Sequence, residues 1–245
     1  MKNMLSRILP ICLLLFMIIG CDEDNGTVNL NFAAMYDGDP LVMNEVVDYD
    51  GSAMRINVSE FYVSEITLSG ESGNLTLGET EYVKFTGQTG DARATLSFDV
   101  PPGSYDQLSF FIGVPADKNV TKPEDYSSDE ALANTATYWQ GWQSYIFNKL
   151  EGRLDTAGFG STDLTFIYHS GKDELYTEVV VPLSSAIAVD GNSNNIEIDV
   201  EHNDLFKREG GGYLDIAAKP SAHNPDDLEY PTVILNNFKT GVTIR

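Results

Sequence analysis

The chain has 245 residues, with 15 basic and 37 acidic side chains and a formal net charge of −22. This length is sufficient for one domain that buries a sizeable hydrophobic core. A surface this acidic repels nucleic acid and anionic lipid head groups, so no nucleic-acid partner is expected, and cations, neutral ligands or basic proteins are favoured instead.

The first 20 residues have the features of a secretory signal. Lys2 and Arg7 precede an apolar run over residues 8–20, which is shorter than the roughly 20 apolar residues that span a bilayer. A glycine and then Cys21 follow two isoleucines, the pattern of a lipoprotein cleavage site. We therefore predict a signal peptide over residues 1–20 and a lipid on Cys21. An ordinary signal peptide that contains a cysteine is the alternative.

A lipid on Cys21 would anchor the protein at the bacterial outer membrane, either facing the periplasm or exposed at the cell surface. Residues 21–26 form an acidic tether that resembles the surface-export signal of some bacterial lipoproteins, although a solvated spacer is the plainer interpretation. The sequence has two cysteines, and Cys12 lies inside the predicted signal. The mature chain could therefore form neither a disulfide nor a thiolate metal site.

Residues 27–245 are predicted to form a single domain made of strands. Short runs of alternating apolar and polar residues are separated by turns rich in glycine, proline and aspartate. About ten such strands predict an all-β fold, an antiparallel β-sandwich with an immunoglobulin-like or jelly-roll-like arrangement. The segment 122–136 is polar and reads as a long loop with a short helix over residues 129–133, and long loops in compact domains are often functional.

The densest aromatic stretch, residues 138–147, contains both tryptophans of the chain, Trp139 and Trp142. The simplest interpretation is core packing, because aromatic side chains dominate buried area. A second interpretation is a stacking platform for sugar rings. A third, modification of one indole, depends on the family resemblance given below.

The three histidines, His169, His202 and His223, all lie in the predicted domain. His169 is close to the end of a strand, His202 continues the inward-facing row of another strand, and His223 lies in a loop. Imidazole is a common metal ligand, and the three side chains could converge on one rim of a sandwich. Each histidine alone is more commonly structural or solvated.

No arrangement of residues in the sequence indicates catalysis. The chain lacks a Gly-x-Ser-x-Gly nucleophile motif, a His-Glu-x-x-His zinc motif and a phosphate-binding loop. We therefore expect a protein that is not an enzyme.

Several blocks taken together resemble the MbnP-like copper-binding proteins associated with methanobactin systems. They occur in family order and span nearly all of the mature chain. The blocks are Leu30-Asn31-Phe32, residues 57–66, residues 100–105, residues 108–114, residues 138–152 and residues 166–171.

The resemblance implies a β-sandwich that binds copper outside the cytoplasm, through histidines helped by a tryptophan oxidised to kynurenine. It also implies a diheme peroxidase-like modifying enzyme and a TonB-dependent transporter as partners. His169 matches the family's His-x-Gly block, whereas His202 and His223 have no firm motif match. The family tends to show Trp-x-Trp followed by glycine; here two residues separate the tryptophans, and Trp142 is the better candidate for modification by its position before Tyr145.

Three functions therefore remain open at the level of sequence. The first is a copper-binding lipoprotein in metal acquisition or handling. The second is a surface lipoprotein that binds glycan or protein through Trp139 and Trp142, without metal. The third is a structural lipoprotein whose aromatic residues only fill a core.

Overall fold

The structure, a computed structural model, describes residues 24–86 and 92–245. The predicted signal peptide and the lipid site at Cys21 lie outside the described residues. Within these two ranges, no helix has the length and apolar character needed to cross a membrane.

Strands dominate the chain, as the two-residue periodicity predicts. The strands are β1 (Gly26–Tyr36), β2 (Asp39–Pro40), β3 (Val47–Tyr49), β4 (Ser52–Gly70), β5 (Gly73–Lys84), β6 (Arg93–Val100), β7 (Gly103–Ile112), β8 (Tyr138–Trp139), β9 (Ser144–Tyr145), β10 (Asn148–Leu154), β11 (Leu164–Ser170), β12 (Thr177–Val189), β13 (Ser193–Glu201), β14 (Ser221–Ala222) and β15 (Val242–Ile244). The α-helices are α1 (Ala116–Asn119), α2 (His202–Leu205) and α3 (Glu229–Gly241), and the 3-10 helices are Pro123–Asp125, Ala131–Ala133, Thr135–Thr137 and Asp173–Leu175.

The strands form two large sheets that pack face to face. The first has the order β15-β13-β1-β2, with β6 also paired to β1. The second has the order β12-β7-β4-β10-β11-β14, with β3 and β5 also paired to the long β4. Strands β8 and β9 pair only with each other among the described residues. The prediction of an all-β sandwich is confirmed.

The main core lies between the two sheets. Phe32 of β1 packs edge-on against Phe61 of β4 and Phe110 of β7, with ring centroids 6.2 and 5.9 Å apart. All three rings are almost completely buried. Edge-to-face aromatic pairs of this kind contribute about 0.5–1.5 kcal/mol each beyond the area they bury, so these contacts fix the distance between the sheets.

The pairing is mixed rather than purely antiparallel. Strand β1 runs parallel to β13 over nine residue pairs, and β14 runs parallel to β11. Alternation of apolar and polar residues shows which face of a strand is buried but is the same for both strand directions, so the sequence could not distinguish them. The strand pattern also did not predict α3, which covers part of the main core through Ile234, Leu235 and Phe238.

A second, smaller hydrophobic cluster forms outside the main core. We call it the outer cluster; its buried members are Tyr62, Val114, Leu132, Tyr145 and Phe147. The segment between β7 and β10, residues 113–147, supplies four of them and folds over the outer face of the second sheet. The predicted loop over 122–136 is part of this segment, and a 3-10 helix at Ala131–Ala133 replaces the expected short helix.

Candidate functional site

The site is built on the outer face of strands β10 and β11. Every second residue of β10 from Asn148 is buried, which turns Lys149 and Glu151 outward. On β11 the buried residues are Phe166, Tyr168 and Ser170, so His169 also points outward. Because Lys149 is paired with His169 and Glu151 with Ile167, Glu151 is a diagonal neighbour of His169 on the same face.

A short hairpin brings the two tryptophans over this face. Strands β8 and β9 pair Tyr138 with Tyr145 and Trp139 with Ser144. The backbone N–H groups of Trp142 and Gln143 donate to the carbonyl of Trp139, at 3.0 and 2.9 Å, and Gln143 has a positive φ of 54°. This tight turn folds Trp142 back on Trp139, and the two rings stack with centroids 4.8 Å apart and planes 7° from parallel.

His223 reaches the same place from a distant part of the sequence. In the parallel pair of β11 with β14, Ile167 faces Ser221 and Tyr168 faces Ala222, so the next residue, His223, continues toward His169. The ring centroids of His169 and His223 are 6.3 Å apart. The Oγ of Ser221 lies 2.6 Å from Nδ1 of His223, which leaves Nε2 of His223 as the nitrogen free of that contact.

Trp139 is the centre of the arrangement. Its ring stacks on His223 at 5.7 Å with planes 27° apart, and contacts His169 edge-on at 6.2 Å. We call these four side chains, Trp139, Trp142, His169 and His223, the Trp–His cluster. The structure therefore brings together both tryptophans and two of the three histidines that the sequence singled out.

The hydrogen bonding of His169 is asymmetric. Its Nε2 lies 2.7 Å from Oε1 of Glu151, whereas its Nδ1 is buried and has no hydrogen-bond partner among the described residues. The side chain of His169 is only 12% exposed. The hydrogen bond from His169 is the main cause that lowers the pKa of the Glu151 carboxyl, with Lys149 adding an attractive charge and burial opposing both. A buried polar atom without a partner costs about 1–3 kcal/mol, so Nδ1 is a position where a ligand would be stabilised.

His202 lies elsewhere, in the main core. It is completely buried, its Nδ1 lies 3.0 Å from the carbonyl of Val200, and its Nε2 lies 2.8 Å from Oγ of Ser59. The carbonyl can only accept, so Nδ1 carries the proton and Nε2 accepts from the serine. Burial lowers the pKa of His202 to about 4. Both ring nitrogens are hydrogen-bonded within the protein, so neither is free to bind a metal. The structure does not bring His202 together with His169 and His223, and the expected convergence of three histidines is reduced to two.

The spacing of the two imidazoles in the Trp–His cluster is compatible with one shared metal ion. An imidazole nitrogen binds a metal at about 2 Å, so two rings that share one ion have centres roughly 5–6.5 Å apart, and the rings of His169 and His223 fall in this range. Across residues 24–86 and 92–245, no group of three or more His, Cys, Asp or Glu side chains is placed to hold a metal ion.

The fold and the cluster define a β-sandwich protein with paired histidines and stacked tryptophans on one outer face. The sequence profile of the MbnP family matches residues 25–224, and the chain belongs to this family, which confirms the resemblance seen in the sequence. Among solved structures it is similar to MbnP from Methylosinus trichosporium, with a TM-score of 0.54 and 15% identity over 84% of this chain and 87% of that one. That likeness supports the fold. Comparison with curated protein sequences gives no significant match.

Glu151 is the site residue that the sequence-based reasoning missed. It belongs to a quoted family block, but nothing in the sequence marked it as functional. Its alternation with Leu150 and Gly152 does indicate an outward position. The missing information was the register of β10 against β11, which places Glu151 beside His169.

Proposed function

We propose that this protein is a non-enzymatic copper-binding lipoprotein that acquires or handles copper outside the cytoplasm, with His169 and His223 as ligands. The observation that carries the proposal is the convergence of three separate segments on one outer face, where Nδ1 of His169 is buried without a partner. Membership of the MbnP family supports the choice of metal.

The chemistry of the donor set favours copper over hard cations. Imidazole nitrogen suits copper, zinc and nickel, whereas calcium and magnesium require several oxygen ligands. Among residues 24–86 and 92–245, the carboxylate that bonds to either imidazole is Glu151, which contacts Nε2 of His169 and is not available on the Nδ1 side. Copper is here the cargo that the site would bind and release.

We further propose Trp139, rather than Trp142, as the tryptophan that becomes kynurenine. The family resemblance supplies this modification, and the contacts supply the choice of residue. Trp139 touches both imidazoles, while the ring partner of Trp142 within the cluster is Trp139. An aniline nitrogen formed at position 139 could act as the third ligand, which an indole cannot. A diheme peroxidase-like enzyme would carry out this oxidation, and a TonB-dependent transporter would be the partner in copper uptake.

A lipid on Cys21 would hold the cluster at a membrane surface. Strand β1 begins at Gly26, so the acidic tether between Cys21 and the sandwich is short. Anchoring at the outer membrane, toward the periplasm or the cell surface, is consistent with a role in metal acquisition.

The glycan-binding alternative is less well supported by the geometry. A sugar platform needs an open aromatic face. Trp139 already stacks on Trp142 and on His223. Trp142 packs against Gly171, where an added Cβ would lie 3.1 Å from the indole. No specific observation favours glycan over copper.

The proposal is tested on protein purified from the membrane fraction of its native host, by metal analysis and intact mass. We expect one copper per chain, and a mass that reports signal removal, lipidation and one kynurenine. His169→Ala and His223→Ala should lose the copper, whereas Asn224→Ala, a change at the exposed neighbour of His223, should keep it. Wild-type protein without copper, or histidine variants that retain it, would refute the proposal.

A further inference from the structure

The orientation of the His169 ring is set by one carboxylate. Nε2 of His169 lies 2.7 Å from Oε1 of Glu151, and a carboxylate can only accept at this distance, so the nitrogen must carry the proton. In the neutral ring the lone pair is then on Nδ1, the buried nitrogen that has no partner. The same contact leaves one nitrogen of His169 for a metal and identifies which one it is.

We infer that Glu151 is a positioning residue, which holds His169 as the Nε2–H tautomer and thereby presents Nδ1 to copper. The inference rests on the proposed function of the Trp–His cluster. Histidine ligands commonly donate their second N–H to a carboxylate, which fixes the tautomer and makes the coordinating nitrogen more basic. Loss of such a partner typically weakens metal binding by about 10–100-fold.

Glu151 is itself well held for this role. Its side chain is 31% exposed, and Lys149, two residues earlier on the same face of β10, attracts it. Lys149 is fixed in turn by the carbonyl of Ala136 at 2.6 Å and by Glu60 at 3.8 Å. These contacts place the carboxylate on a rigid strand rather than on a loop, which suits a group that must orient another side chain.

Within the part of the chain that the structure describes, His223 has no carboxylate partner of this kind. Its Nδ1 contacts Oγ of Ser221, a hydroxyl that can donate or accept and therefore does not select one tautomer. His223 is also exposed, whereas His169 is nearly buried. We therefore assign His169 as the ordered ligand of the pair and His223 as the ligand that adjusts to the metal.

The test compares Glu151→Ala, which removes the acceptor, with Glu151→Gln, which keeps an acceptor oxygen without the charge. Glu178→Ala, which removes an exposed carboxylate of β12, is the control. Nitrogen NMR of metal-free wild-type protein should show His169 as the Nε2–H tautomer. Glu151→Ala should lose this preference and bind copper about 10–100-fold more weakly in a chelator competition, while Glu151→Gln should keep the tautomer.

Two results would overturn the inference. One is an Nδ1–H tautomer for His169 in the metal-free wild type, and the other is wild-type copper affinity in a folded Glu151→Ala variant. Failure of the proposed function gives a different result, because the wild-type protein itself would then bind no copper. Failure of the inference about Glu151 alone leaves copper binding by the wild type intact.

Discussion

At the level of single residues, the surroundings of two histidines decide whether a ring nitrogen is available to a ligand. His202 is enclosed in the main core with both nitrogens bonded to Ser59 and Val200. His169 is on an outer face and has one nitrogen bonded and one without a partner. The sequence could identify both as candidate ligands, because every histidine has two ring nitrogens that can bind a metal. It could not separate them, because the separation depends on neighbours from other strands.

The buried state of His202 predicts a pH dependence of folding. Its pKa of about 4 in the folded state is below the value near 6.5 expected in the unfolded chain. The unfolded state therefore binds the proton more readily, and stability is lost as pH falls from about 6.5 toward 4. The loss at pH 5 relative to pH 7 should be about 2 kcal/mol from this group, measured by urea unfolding.

His202→Asn is the variant that isolates this effect. It should be less stable than wild type at pH 7, because an amide cannot replace both hydrogen bonds, but its stability should change less between pH 7 and pH 5. The carboxyls with lowered pKa, Glu60, Glu151 and Asp163, lose their contribution only at lower pH. An unchanged profile in His202→Asn would contradict the explanation.

At the scale of elements, the β8–β9 hairpin is the piece that completes the site. It has only two residue pairs, and a hairpin this short is not stable alone. The outer cluster supports it from below through Tyr145, which is fully buried and contacts Tyr62 and Tyr138. The aromatic run over 138–147 is therefore divided: Tyr145 and Phe147 fill the outer cluster, which agrees with the core-packing interpretation, whereas Trp139 and Trp142 belong to the Trp–His cluster.

Lys149 of β10 connects the chain just before the β8–β9 hairpin to the second sheet. Its Nζ donates to the carbonyl of Ala136 at 2.6 Å, and its side chain is only 13% exposed. We expect Lys149→Met to reduce the free energy of unfolding by about 1.5–3 kcal/mol, the usual net value of a hydrogen bond made by a charged group. Tryptophan fluorescence should also shift to longer wavelength, because the hairpin is held less firmly.

Lys239→Met removes an exposed charge from the last turn of α3 and serves as the matched control. It should leave both the unfolding curve and the fluorescence close to wild type. Indistinguishable behaviour of the two lysine variants would show that the contact with Ala136 does not hold the hairpin.

Prediction from the sequence succeeded for the position of the strands. Alternation located the strands, and it placed His202 on an inward-facing row, where the residue is completely buried. Helix α3 was not predicted, although Ile234, Leu235 and Phe238 are spaced as on one face of a helix and are buried. Pairing partners and strand direction are properties of distant segments, which local periodicity does not contain.

At the scale of the whole molecule, two packed sheets provide a rigid support for a site assembled from distant parts of the chain. Strand β14, one residue before His223, adds to the edge of the same sheet that carries His169. The sequence supplied every member of the Trp–His cluster, but only the folded chain shows that His169, His223 and Trp139 meet. The strongly acidic composition favours the approach of cations to the surface.

The most direct test of the account is the position of copper in crystals of the copper-loaded protein, measured by anomalous scattering at the copper absorption edge. We predict one peak between the rings of His169 and His223, about 2 Å from Nδ1 of His169 and beside residue 139. A peak at His202, a peak bound through Nε2 of His169, or no peak within the Trp–His cluster would contradict it.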